Sequence, residues 1–132
     1  MNAAKSVVRF RTQSGEFAVP VEHVREVRTA AGMLTLPAPG VHVVGVLPDG
    51  NRSLTVVSAL GVGRDQVLVL DPDGEPFGLL VEEVSGVISL DEARIGPPPV
   101  GQTDDIVSGV VHGGDELLLL VDARSLARTI GR

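Results

Sequence analysis

Cysteine is absent from the 132 residues. Disulfides, thiolate metal sites and cysteine nucleophiles are therefore excluded, and a reducing compartment is permitted. Tryptophan and tyrosine are absent too, leaving Phe10, Phe17 and Phe77 as the only large six-membered aromatic rings. The stacking platforms that single-stranded nucleic acids and sugars use are thereby missing. A net charge of −6 opposes binding to a phosphate backbone. No apolar run approaches the roughly 20 residues that span a bilayer. Met1–Arg11 lacks the apolar stretch of a secretory signal. The chain reads as one soluble, cytoplasmic domain, long enough to bury a core without covalent staples.

What is present is a repeated strand–turn–strand unit. One copy runs Val41–Val57 around Pro48-Asp49-Gly50-Asn51, another Val67–Val81 around Asp71-Pro72-Asp73-Gly74, and a third Val107–Val121 around Gly113-Gly114-Asp115. β-Branched residues and leucines flanking a tight-turn cluster predict β-hairpins. Ser6–Phe10 and Glu16–Val19 read as strands joined by Gln13-Ser14-Gly15, and Met33–Leu36 as a short strand. The valines at 21, 24 and 27 recur every third residue, which predicts one or two helical turns after Pro20. Gly96-Pro97-Pro98-Pro99-Val100-Gly101 reads as a stiff extended loop, kept in water by Asp104-Asp105. Asp122 caps a terminal helix with Leu126 and Ile130 on one face and Gly131 as its stop. Short strands with frequent turn signals imply an all-β barrel or sandwich. Residues 1–64 carry a net +3 and residues 65–132 a net −9. These are either two solvated surfaces or unlike surfaces that would steer head-to-tail contacts with similar modules, including weak self-association.

Candidate chemistry is sparse. His23, His42 and His112 do not sit at ligand spacing. Asp71-Pro72-Asp73-Gly74-Glu75 lacks the spacing and terminal glutamate of a calcium loop and reads as a turn. His112-Gly113-Gly114-Asp115-Glu116 offers a metal three ligand types, but its two glycines read as a turn. Glu82 and Glu83, as strand neighbours, point to opposite faces and cannot work on one atom. Gly61-Val62-Gly63 does not continue into a dinucleotide fingerprint. Ser58, Ser85 and Ser108 do not sit in a nucleophile elbow. The chain reads as non-catalytic, with no cofactor and no metal. Glu26, beside Val24 and Arg25, is either a solvated carboxylate paired with its neighbour or a charge on a docking surface.

Several segments carry a family likeness. Phe17-Ala18-Val19-Pro20-Val21-Glu22-His23-Val24-Arg25-Glu26-Val27 resembles the opening of CheW-like domains. Leu36-Pro37 followed by Val44-Gly45-Val46-Leu47 is similar to the family's next landmark. Phe77-Gly78-Leu79-Leu80-Val81-Glu82-Glu83-Val84 resembles its Gly-Leu-Leu-Val-Asp-x-Val segment. Pro97-Pro98-Pro99, then Ile106-Val107-Ser108-Gly109-Val110, then Leu120-Val121-Asp122, match its closing order. The likeness covers roughly residues 6–130. It implies two small five-stranded SH3-like β-barrels around a shared apolar core, with a short C-terminal helix. It further implies a cytoplasmic adaptor that couples the chemoreceptor cytoplasmic tip to a histidine kinase regulatory domain without catalysis. By this resemblance Val21, Val24 and Glu26 match positions near the receptor-facing groove.

One segment departs. The family follows its Gly-Val-Ile strand with Asn-Leu-Arg-Gly and a strand ending Pro-Val-Val-Asp-Leu. Here Gly50 and Asn51 stand in place of Arg-Gly, Thr55 in place of the proline, and Ser58 in place of the aspartate. Gly50-Asn51 still makes a good turn. Arg52 offers a guanidinium two residues on, on the same face if a strand begins there. Three roles follow: a signalling adaptor, a related interaction module that has lost receptor–kinase coupling, or a small-molecule-binding barrel. The partner-binding residues expected are Val21, Val24, Glu26, Gly50 and Arg52.

Overall fold

The computed structural model describes residues 4–36, 42–100, 106–113 and 116–130. Its strands are β1 (Ala4–Thr12), β2 (Gly15–Pro20), β3 (Val24–Thr29), β4 (Leu34–Thr35), β5 (Val43–Asp49) and β6 (Arg52–Val57). They continue as β7 (Gln66–Leu70), β8 (Phe77–Val81), β9 (Glu83–Asp91), β10 (Val107–Gly113) and β11 (Glu116–Val121), before a helix α1 (Ala123–Arg128). The first sheet has five strands in the order β10-β11-β2-β1-β9, and the second six in the order β3-β7-β8-β6-β5-β4. Most neighbours are antiparallel hairpin partners. Two parallel pairings, β2 with β11 and β6 with β8, make both sheets mixed.

The expected pair of five-stranded SH3-like barrels is not what forms. Both sheets are open, and the second has six strands. Among the described residues no ladder joins β9 to β10; the stretch after β9 meets β10 where Gly96 and Val110 exchange backbone hydrogen bonds of 2.8 and 3.1 Å. Pro97-Pro98-Pro99 follows at once, and proline has no N–H with which to extend a ladder. In the second sheet the edge strand β4 is two residues long, too short to carry a closing ladder to β3.

Strand alternation explains the packing. In β7, Val67 and Val69 face one side and Leu68 and Leu70 the other, and all are buried. The leucines join Phe77, Leu79 and Val81 of β8 against Val8, Phe10, Phe17 and Val19 of the first sheet. Phe10 and Phe17 stack there with ring centroids 5.6 Å apart. The valines instead join Leu47, Leu54, Val56 and Leu80 in a smaller core within the second sheet. Val7, Ala18, Val111, Leu118 and Leu120 form the counterpart in the first. Helix α1 covers the shared core with Ala123, Leu126 and Ala127. Asp122 caps it, accepting from the backbone N–H groups of Arg124 at 3.0 Å and Ser125 at 3.2 Å.

The helical reading of 21–28 holds only for Val21–His23, a single 3-10 turn. From Val24 the chain is a strand pairing with β7, with a register shift between Val24 and Glu26. The bulge breaks strict alternation, so its valines keep a three-residue spacing without being helical.

The two sheets are also strapped together by hydrogen bonds. The buried Thr12 hydroxyl donates to the Leu60 carbonyl at 2.6 Å and accepts from Ser14 N–H at 3.0 Å. Gln13 N–H donates to the Val62 carbonyl at 2.9 Å. Gly61 lies at φ +95°, where a Cβ would collide with the side chain of Ser14.

Candidate docking surface

β3 is one of the two edges of the second sheet, opposite β4, among the described residues. The 3-10 turn before it leaves Val21 40% exposed. Val24 is half-buried and packs against the shared core. Glu26 is exposed on β3, and Val27 beside it is 43% exposed.

Arg25, at the bulge between Val24 and Glu26, organises this surface. Its Nε lies 3.5 Å from Glu26 Oε2. Its two terminal nitrogens donate to both oxygens of Asp49 at 3.3 and 3.4 Å. Asp49 ends β5 and pairs across the turn with Arg52, the first residue of β6. Between them Gly50 adopts φ +62°, a left-handed conformation that glycine accepts without strain. Arg25 therefore ties Glu26 to the turn holding Gly50 and Arg52. Arg52 is exposed. Val21 and Val24 join this group only through the chain that enters β3.

Arg25 is the residue the sequence reading did not single out. Its pairing with Glu26 was legible as a contact between neighbours. The link to Asp49 spans 24 residues of chain and leaves no local signal.

The other sequence candidates stay apart. Glu82 Oε1 accepts from Gln13 Nε2 at 3.3 Å and lies 3.8 Å from Arg64, whereas Glu83 lies 3.8 Å from Arg11. Asp71 accepts from Gly74 N–H at 2.8 Å, a local turn bond. Asp104-Asp105, the Gly114-Asp115 tip and Gly131 lie outside the described residues. Among the described residues no group of histidine and carboxylate side chains converges as a metal site. No helix there is long and apolar enough to cross a membrane.

Two further charged features lie on or beside the first sheet. A polar cleft of about 620 Å³ opens between the sheets, with Lys5, Glu22, His23, Asp71 and Arg124 on its walls. Arg9 of β1 donates to Glu116 of β11 at 2.9 Å and to Glu16 of β2 at 3.2 Å. These bonds, that to Glu116 foremost, raise the guanidinium pKa above its ordinary value against the opposing effect of burial.

Comparison with known proteins places this architecture. The chain is 26% identical over 137 residues to the chemotaxis protein CheW of Rhizobium meliloti (strain 1021), covering 95% of this chain and 88% of that protein. It superimposes with a TM-score of 0.75 on the crystal structure of the scaffolding protein TtCheW from Thermoanaerobacter tengcongensis, at 22% identity, over 92% of this chain and 90% of that one. The profile of the CheW-like domain matches residues 6–130. With that match spanning nearly all of its length, the chain belongs to the CheW-like domain family.

Proposed function

We propose that the chain is a cytoplasmic, non-catalytic chemotaxis adaptor that holds a chemoreceptor cytoplasmic tip and a histidine kinase regulatory domain together. The observation carrying this reading is the family match across residues 6–130. The partner surface is the β3 edge with the β5–β6 turn. Val21 supplies exposed apolar area. Val24 holds the edge against the core. Glu26, steered by Arg25, sets orientation. Gly50 shapes the turn and Arg52 presents the guanidinium. Buried apolar contact supplies most of the affinity, and the charges set encounter rate and specificity.

The rewritten turn favours a second reading, a CheW-like module that no longer couples receptor to kinase and self-associates or serves another complex. Gly50-Asn51 stands where the family has Arg-Gly. A pull-down against a receptor tip and a kinase regulatory domain separates the two. Capture of both supports the adaptor. Capture of neither, with concentration-dependent self-association, supports the module.

A further inference from the structure

The first sheet carries a second feature, at the place where it fails to close. A cavity of about 150 Å³ lies there, lined by Ile88 and Leu90 of β9, Val111 of β10 and Leu117 and Leu118 of β11. Arg9, Glu16 and Glu116 complete its wall. Apolar cavities of this scale admit a benzene-sized molecule in other proteins.

The charges on this wall do not balance. One guanidinium serves two carboxylates, which leaves a formal −1. Glu16 Oε1 takes the Arg9 bond at 3.2 Å, but Glu16 Oε2 is buried and, among the described residues, has no hydrogen-bond partner. A buried carboxylate oxygen without a donor is costly. The last torsion of a glutamate side chain is soft, so a small rotation presents that oxygen to the cavity. A cation that donates hydrogen bonds meets both the unpartnered oxygen and the formal charge, and the rest of the wall suits methylenes. Lysine and arginine side chains combine an apolar stem with a cationic head.

We propose that this gap in the first sheet is a docking pocket for a lysine or arginine side chain carried by a partner polypeptide. The stem lies against Ile88, Leu90 and Leu118, and the head donates to Glu16 Oε2. Leu117, 43% exposed at the rim, argues for a polypeptide over a free amine, because it extends apolar contact to residues flanking the cation. The pocket sits on the first sheet and the adaptor surface on the second, so each stands or falls separately.

The test is a titration of the intact chain, followed by amide shifts in ¹H–¹⁵N spectra. The probes are n-butylammonium, n-butylguanidinium, n-butanol and a short blocked peptide with one lysine beside a leucine. The cations should give saturable shifts at Glu16, Ile88 and Leu118, with n-butanol at least tenfold weaker. Glu16→Gln should abolish the preference for cations. Leu117→Ala, at an exposed position, should weaken the peptide several-fold and leave n-butylammonium unchanged. Equal response to n-butanol, or no saturable shift from either cation, overturns the cation pocket. A peptide no tighter than n-butylammonium overturns the polypeptide assignment.

Discussion

Gly61→Ala should be among the most damaging single-methyl additions outside the core. Gly61 sits at φ +95°, in the strap that joins the β6–β7 connection to the β1–β2 turn. An alanine there meets two separate penalties. A non-glycine residue held in this region costs about 1–3 kcal/mol. The new Cβ would also lie 2.6 Å from Ser14 Cβ, closer still to Ser14 Oγ, and 3.1 Å from Thr12 Oγ1. Overpacking of that kind costs about 1–3 kcal/mol. The Thr12 hydroxyl cannot easily retreat, because it is tied to the Leu60 carbonyl at 2.6 Å. Together the terms give roughly 2–6 kcal/mol, a fall in urea midpoint of about 1–3 M for a domain of this size. Ser14→Gly separates them. In that background the Ser14 collision disappears and only the backbone strain and the Thr12 contact remain. The double variant should therefore recover about half of the loss, measured by urea unfolding of all four members of the cycle. A Gly61→Ala loss below about 0.5 kcal/mol, the ordinary size of a surface change, refutes the strain argument. Strict additivity with Ser14→Gly refutes the steric one.

Three further outcomes are expected. The Arg25–Asp49 pair is exposed and its bonds of 3.3 and 3.4 Å are long for charge-assisted ones, so a double-mutant cycle should give a coupling of about 0.2–1 kcal/mol to stability; a coupling above 2 kcal/mol contradicts this. Val21→Asp and Arg52→Ala should leave the urea midpoint within error, as exposed positions do, while weakening binding to a receptor tip or kinase regulatory domain; unchanged titration curves for both would remove these residues from the docking surface. Asp122→Ala should cost about 1 kcal/mol through loss of the α1 cap, with Asp122→Asn recovering most of it in the same thermal melt.

The hairpins were legible because turn chemistry is local. The turn around Gly50-Asn51 and the Asp71–Gly74 turn join the strand pairs that their sequences announce. The segment from Val21 to Thr29 was harder. A bulged strand and a helical turn both space valines by three, and only pairing with β7 decides between them. That pairing is a long-range contact with no local signature. Barrel closure failed for a reason that was written in the chain. Pro97-Pro98-Pro99 reads as a loop from sequence, and its consequence for the β10 edge emerges only where Gly96 lies against Val110. The same limit applies to the docking surface. Glu26 and Arg52 stand out as exposed charges in sequence, but their link through Arg25 and Asp49 depends on how the second sheet curls.

That curl bears on how the proposed surface would work. β3 and β5 are separated in the sheet order by β7, β8 and β6, yet Arg25 of β3 reaches Asp49 of β5. The sheet bends far enough to bring its β3 edge to the end of β5, and a side-chain ion pair bridges them where no backbone ladder is assigned. A ladder is a row of hydrogen bonds, each worth about 1 kcal/mol net. A single exposed ion pair is worth at most about that much in total. A partner carboxylate that takes Arg25 away from Asp49 therefore faces little resistance from the fold. It would also release Glu26, which shares the same guanidinium. If the proposed docking at this edge holds, partner exchange there would leave the shared core undisturbed, because Val24 stays packed whichever carboxylate holds its neighbour.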